Sequence, residues 1–474
     1  MLRSRLSQGV RATKMGVRSG RFVGVQGDPP CRIRVAGVVM DANGSAISHL
    51  YRRAGFGSTP SQLSAGIAAG YDATVAALLD RSGPDDGADP IRLPDITPGY
   101  FGANPSAEQR QQLQAQRYAQ IRLLQLWWLD RMVASTRPLR EKLTFLWHGH
   151  FATSNEKVDS PTMMLLQNQL LRSKGAGTFD QLLQSISTDP AMMVWLDANT
   201  NRKGKPNENF SREVMELFSL GIGNYSDADV REGARSFTGW VVDRDAASVT
   251  LVRAQADYDT KTFLGQTGLF RAEDVVQLLS RHPATATHIA QRMWSRLAWP
   301  VPVDHPAVVG LAKAFGSDLD VSNLIRNVLT SPMFTSSEAR TGLIKEPVEW
   351  VVGSLRALGL TATGAQTLNP NVLGTLELLG QSLFNPPSVG GWPQNTYWLS
   401  TQATLARSRF ATALAMRADI GWLDGNPAAN WPDVLSLRLG IDHWSAGSMA
   451  AIKATAGPRS VLALALTSPE FVLN

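Results

Sequence analysis

The chain of 474 residues contains a single cysteine, Cys31. One thiol cannot close an intrachain disulfide, so stability must come from a buried core, and this usage fits a reducing compartment. No window offers the ~18 successive apolar residues that a membrane-spanning helix needs. There is no Gly-x-Ser-x-Gly elbow, no His-Glu-x-x-His and no Gly-x-Gly-x-x-Gly. The ordinary serine-hydrolase, zincin and dinucleotide-binding labels therefore lack support. A real excess of one charge is missing as well, although the formal net charge is +6. Residues 1–39 hold eight of the 46 basic residues and one of the 40 acidic ones, leaving 38 against 39 in the remainder. A body this close to neutral argues against nucleic acid as a partner.

Residues 1–40 have no helical or strand period, and no ~7–15-residue apolar core of a secretory signal. They read as a disordered basic leader, or as an extension in front of a start at Met40, and the expected location is cytoplasmic.

What is present is helical periodicity. The chain is 43% hydrophobic and 18% charged, the balance of a globular protein with a sizeable core. The expected class is all-α, with one helical domain over 41–474. Its longest helix is expected over 107–135, which contains neither Gly nor Pro. The exception is a small β-hairpin near 246–264, where the alternation of 248–252 could pair with 261–264.

The most informative stretch is NENFSREVMELFSLG at 207–221. Phe210, Val214, Leu217 and Gly221 recur at helical spacing and make a stripe for a core. Asn209, Arg212, Glu213 and Glu216 make a second stripe, polar and without lysine. Glu213 and Glu216 lie one turn apart, with Glu208 near the helix start, and such carboxylates can reach one cation. Arg212 can instead neutralise a buried carboxylate, and Glu208 suits the positive end of the helix dipole. Metal or substrate binding and a structural ion-pair network both remain open for this helix.

Upstream, WHGHF at 147–151 places His148 and His150 two residues apart. On a continuous helix that is about 200°, too far for a shared metal. Gly149 is expected to end the helix after His148, which would let both rings converge as a metal pair or an acid/base pair. The alternative sets His148 on the last carbonyls of its own helix and His150 in a polar core pocket. The loop 199–207, with Arg202, Lys203 and Lys205, lacks the glycine spacing of a phosphate loop and reads as solvated. The run NPPSVGGWP at 385–393 either lines a ligand cleft with Trp392 or locks two helices together.

These residues also carry a resemblance. HLYRRAGFG at 49–57, FLWHGHFATS at 145–154, DPAMMVWLD at 189–197 and PNENFSREVMELFSLG at 206–221 resemble the bacterial family known as domain of unknown function 1800 (DUF1800). So do ARSFTGW at 234–240, KTFLG at 261–265, IKEPVE at 344–349 and PPSVGGWP at 386–393. The resemblance implies a mostly helical bacterial protein. It also implies a candidate partner, since members are often encoded beside a second family, domain of unknown function 1501 (DUF1501). Many members carry export signals, and none is visible here. Relatives commonly show His-Asp, a Gly and then the lysine, where this chain has Tyr258, Asp259, Thr260 and Lys261.

Two functional expectations follow. The first is a metal-assisted enzyme, hydrolytic or redox, with His148, His150, Glu213 and Arg212 as catalytic groups. A divalent metal ion would be held by His148, His150, Glu208, Glu213 and Glu216, and Asn209, Lys261 and Trp392 would contact substrate. The second is a non-catalytic helical binding or scaffold protein in which the same groups form a satisfied polar network.

Overall fold

A computed structural model describes residues 33–35, 38–98, 104–316 and 318–473. Most of the leader expected over 1–40 lies outside these residues; within it, Ile33–Val35 pairs antiparallel with Val38–Met40. The described residues form twenty-five α-helices, five short 3-10 turns and three two-stranded antiparallel pairs, so the fold is mainly all-α. None of these helices is long and apolar enough to cross a membrane.

Local sequence signals set many helix ends. Ser106 and Gln109 form a reciprocal capping box at the start of Ala107–Ala134, the 28-residue helix that the Gly- and Pro-free run announces. Proline opens Pro138–His150, Pro283–Leu297 and Pro347–Leu358, at a position whose amide has no helical partner in any case. Gly359, at φ 67°, closes the last of these in the left-handed conformation that glycine adopts without strain.

The helix Pro138–His150 belongs to two apolar clusters. Its Trp147 joins Phe151, Phe179, Phe218 and Trp294 in one. Its Phe145 joins Trp128, Trp350 and Phe410 in the other. Every residue from Glu141 to His150 is buried, so each charge on this helix must find a partner inside. Glu141 accepts from Trp128 Nε1 at 2.9 Å, Arg131 Nε at 3.0 Å, and Arg172 Nε and Nη2 at 2.8 and 2.9 Å. Lys142 pairs with Glu349 on Pro347–Leu358. Polar contacts thus stitch the two clusters together.

Two sequence expectations are corrected. The helix does not end at Gly149; it runs on to His150, and the Phe151 amide still reaches Trp147 O at 2.8 Å. Residues 248–252 do not pair with 261–264. Ser248–Leu251 pairs with Trp240–Asp243, and Lys261–Phe263 with Gln266–Gly268. The second pair turns through Leu264 and Gly265, at φ 48° and 75°. Positive φ at both positions is what a primed two-residue turn requires, and a leucine in the first of them hides that turn from a sequence reading.

Candidate functional site

The continuous helix sends the two histidines of WHGHF apart. His148 is 1% exposed and wedged among Trp128, Phe384 and Trp392, at ring separations of 5.3, 5.4 and 5.3 Å respectively. Its Nε2 accepts from the Phe384 amide at 3.0 Å, so the ring proton sits on Nδ1. Burial alone lowers its pKa to about 3. His150 faces the other cluster, edge-on to Trp147 and Phe151 at 5.4 and 4.6 Å.

Among the described residues the hydrogen bonds of the two rings go to Phe218 O and to the Phe384 amide, not to the polar stripe of Asn209–Glu216. Glu216 accepts from the Tyr225 hydroxyl, and Arg212 lies 3.4 Å from Asp227 in a largely solvated pair. Glu213 is partly buried, and burial together with Glu216 raises its pKa. Asn209 is exposed and ties its side-chain amide to Leu196 O at 3.1 Å. Glu208 precedes the helix without capping it through its side chain. Among the described residues no three His, Cys, Asp or Glu side chains gather at metal-binding spacing, and the expected set His148, His150, Glu208, Glu213 and Glu216 is spread over separate places.

Lys261 and Trp392 are interior. The Lys261 ammonium donates to Asp257 O and Asp259 O at 2.8 and 2.9 Å, reeling in the loop before its strand. Trp392 is 4% exposed beside His148. Next to it Gly391, at φ 82°, lies so close to Gly149 O that a Cβ there would clash, so 386–393 locks onto the end of Pro138–His150.

What His150 does meet is a stripe on Pro283–Leu297. His288, Arg292 and Arg296 recur every four residues and share one face of that helix. The His150 and His288 rings are 6.1 Å apart. His150 Nε2 reaches Phe218 O at 3.1 Å and His288 Nε2 reaches Leu217 O at 3.0 Å. Because carbonyls only accept, both rings carry the proton on Nε2 and cap two successive carbonyls just beyond Asn209–Glu216. His150 Nδ1 is left as a bare lone pair, buried and without a partner.

Arg296 is anchored. It pairs with Glu346, and Gln394, with its amide oxygen turned inward, accepts from Arg296 Nε and Nη2 at 2.8 and 3.1 Å. Glu346 also accepts from Gln381 Nε2 at 2.5 Å, and its own amide donates to Glu349 Oε2 at 2.9 Å. Burial raises the Glu346 pKa and Arg296 works against it. Arg292, by contrast, is part-buried and makes no side-chain hydrogen bond or close salt bridge among the described residues, with Glu346 as its more distant counter-charge. Burial and Arg296 lower its pKa to about 10. His150 is depressed well below the usual imidazole range by burial first, then by Arg292 and His288. His288 falls to about 4, again mainly through burial.

The same positive character continues behind Glu349. Arg53 is fully buried, with Nε and Nη1 unpartnered and its pKa lowered to about 9 by burial and Arg52. Lys345 is buried, donating to Phe471 O at 2.6 Å, and is depressed by burial and by Arg52. Arg292, Arg296, Lys142, Lys345 and Arg53 therefore share Glu346 and Glu349 as counter-charges. In the sequence the signal was there as His288, Arg292 and Arg296 at four-residue spacing, and as two acids in IKEPVE.

A family model described as protein of unknown function (DUF1800) matches residues 49–473. No curated protein and no solved structure matches the chain significantly.

Proposed function

The chain belongs to the DUF1800 family, whose description assigns no chemistry, and on the geometry above we propose that it binds an anionic group at Arg292, beside the imidazoles of His150 and His288. The observation that carries this reading is Arg292, part-buried and without a side-chain hydrogen bond among the described residues, next to a buried imidazole with a bare Nδ1. Incompletely paired charge in an interior costs roughly several kcal/mol per ion, and an arriving anion offsets that cost. A carboxylate or phosphate group suits the planar fork of arginine.

The anion would also change the field at His150. In the free protein Arg292 helps to keep that ring neutral. With a negative group on the guanidinium, Nδ1 becomes a favourable place for a proton. Proton transfer to or from the bound molecule is then the chemistry available, with His150 as base and Arg292 as clamp. A cluster of guanidinium, ammonium and imidazole recruits an anion more readily than the divalent cation expected on 208–216. The enzymatic expectation thereby moves from that helix to the stripe of Pro283–Leu297.

The scaffold reading draws on the two imidazole caps at Leu217 O and Phe218 O, a structural use for both rings. Thermal unfolding of wild type and Arg292→Gln in rising inorganic phosphate or acetate, at fixed ionic strength, separates the two. Anion binding stabilises by ~2.7 kcal/mol at one hundred times its dissociation constant, so the wild-type midpoint should climb and that of Arg292→Gln should not. Equal climbs, or none, would leave the scaffold reading.

A further inference from the structure

Away from this cluster, a cavity of about 390 Å³ lies between the helices Tyr71–Leu79, Pro138–His150 and Pro161–Lys174. Its volume falls in the ~300–1,000 Å³ range of small-molecule sites. The walls are of two kinds. Leu78, Leu79, Leu139, Leu143 and Leu171 supply an apolar floor, and Arg81, Arg137, Arg140 and Arg172 stand around it with Asp80 as the one acid in the lining.

Each of the four guanidiniums is positioned by a fixed acceptor. Arg81 Nη1 donates to Ala176 O at 2.5 Å, and Arg137 Nη1 to Asp80 O and Oδ2 at 2.8 and 3.2 Å. Arg140 Nη2 donates to Gly83 O at 3.2 Å, with Nη1 3.8 Å from Asp89 Oδ2. Arg172 spends Nε and Nη2 on the buried Glu141 carboxylate, itself shared with Arg131. Five donors per guanidinium leave each with N–H groups to spare after these bonds. Four arginines fixed in this way around leucines make a poor solvated surface and a good receptor.

We infer that this cavity is a second binding site, for a small amphiphile with a carboxylate or phosphate head and a short aliphatic chain. The head sits among the arginines, where bidentate charge-assisted hydrogen bonds are available. The chain lies on the leucines, where each buried methylene strengthens binding about fourfold. The site is separate from the anion site at Arg292, and Trp147 stands between them. Its indole donates to Gly175 O in the cavity wall at 2.6 Å, and its ring meets His150 at 5.4 Å.

Calorimetric titration of the full chain tests this, carried out in the Arg292→Gln background so that the other site does not contribute heat. The probes are acetate, butyrate, octanoate, octyl phosphate, inorganic phosphate and 1-octanol. Affinity should rise along acetate, butyrate and octanoate, and 1-octanol should bind at least tenfold more weakly than octanoate. Octanoate against octyl phosphate then identifies the preferred head. Adding Arg81→Gln and Arg140→Gln should weaken octanoate at least tenfold with the unfolding midpoint unchanged. If that pair fails to fold, Arg81→Gln alone, at an exposed residue, should still weaken it several-fold. Absence of octanoate and octyl phosphate binding at millimolar concentration would overturn the inference. So would affinity indifferent to chain length, or an unchanged affinity in a folded arginine variant.

Discussion

Replacing His148 by glutamine should make the protein less sensitive to acid. The imidazole is buried, accepts the Phe384 amide through Nε2 at 3.0 Å, and has its pKa lowered to about 3. In the unfolded chain it returns to about 6.5. A histidine depressed in this way contributes stability that is full above the unfolded value and is lost as the pH falls toward the folded one. Between pH 7 and pH 4 the loss from these two values is about 3 kcal/mol. Glutamine keeps an acceptor for the Phe384 amide and removes the titration. His288, lowered to about 4, adds a similar loss to both proteins. Asp189, which burial pushes up to about 7, acts in the opposite sense, because its stability is full at low pH and fades as the pH rises through 7. Both terms cancel in the difference between wild type and His148→Gln. Urea unfolding followed by tryptophan fluorescence at pH 7 and pH 4 reads that difference directly. Wild type should lose about 3 kcal/mol more than the variant over this interval. Equal losses would refute the assignment of His148 as a neutral buried acceptor.

Four further outcomes follow from particular contacts. Glu141→Gln strips the carboxylate from Arg131 and Arg172 in a buried site and should cost ~3–5 kcal/mol, read as a lowered urea midpoint. Arg122→Ala, which breaks a solvated pair with Glu377, should change the same midpoint by less than ~1 kcal/mol. Gly391→Ala places a Cβ against Gly149 O at a positive φ and should destabilise by at least ~1–2 kcal/mol, with a change in near-ultraviolet dichroism from Trp392 and its neighbours. Lys261→Met frees Asp257 O and Asp259 O, so limited proteolysis should cut 252–260 faster than in wild type; an unchanged cutting rate would mean that the lysine does not hold this loop.

The helical class and many helix starts were legible because they depend on local chemistry. Ser106 with Gln109, and the prolines at 138, 283 and 347, act on their own turns whatever packs around them. The site was legible only in part. Both histidines of WHGHF are buried, and their rings face different clusters because the helix does not stop at Gly149. Which partner each ring meets depends on packing between distant segments, 68 residues apart for His150 and Phe218 and 236 for His148 and Phe384, and single-sequence periodicity does not carry that. Arg212 and Glu216 share one polar stripe, yet each binds a residue just downstream, Asp227 at the start of the next helix and Tyr225 in the turn before it. The stripe of His288, Arg292 and Arg296 could have been read from its spacing, whereas its burial against His150 and Glu346 could not.

The measurement that bears most directly on the anion site is calorimetry of sulfate binding between pH 5.5 and 7, repeated in two buffers of different ionisation enthalpy. Sulfate stays fully charged over this range, so any proton taken up belongs to the protein. Binding should be accompanied by uptake of a fraction of a proton that grows as the pH falls and disappears in His150→Asn, with the affinity itself lost in Arg292→Gln. Sulfate binding without proton uptake, or no binding in the wild type, would contradict an anion site built from Arg292 and a neutral His150.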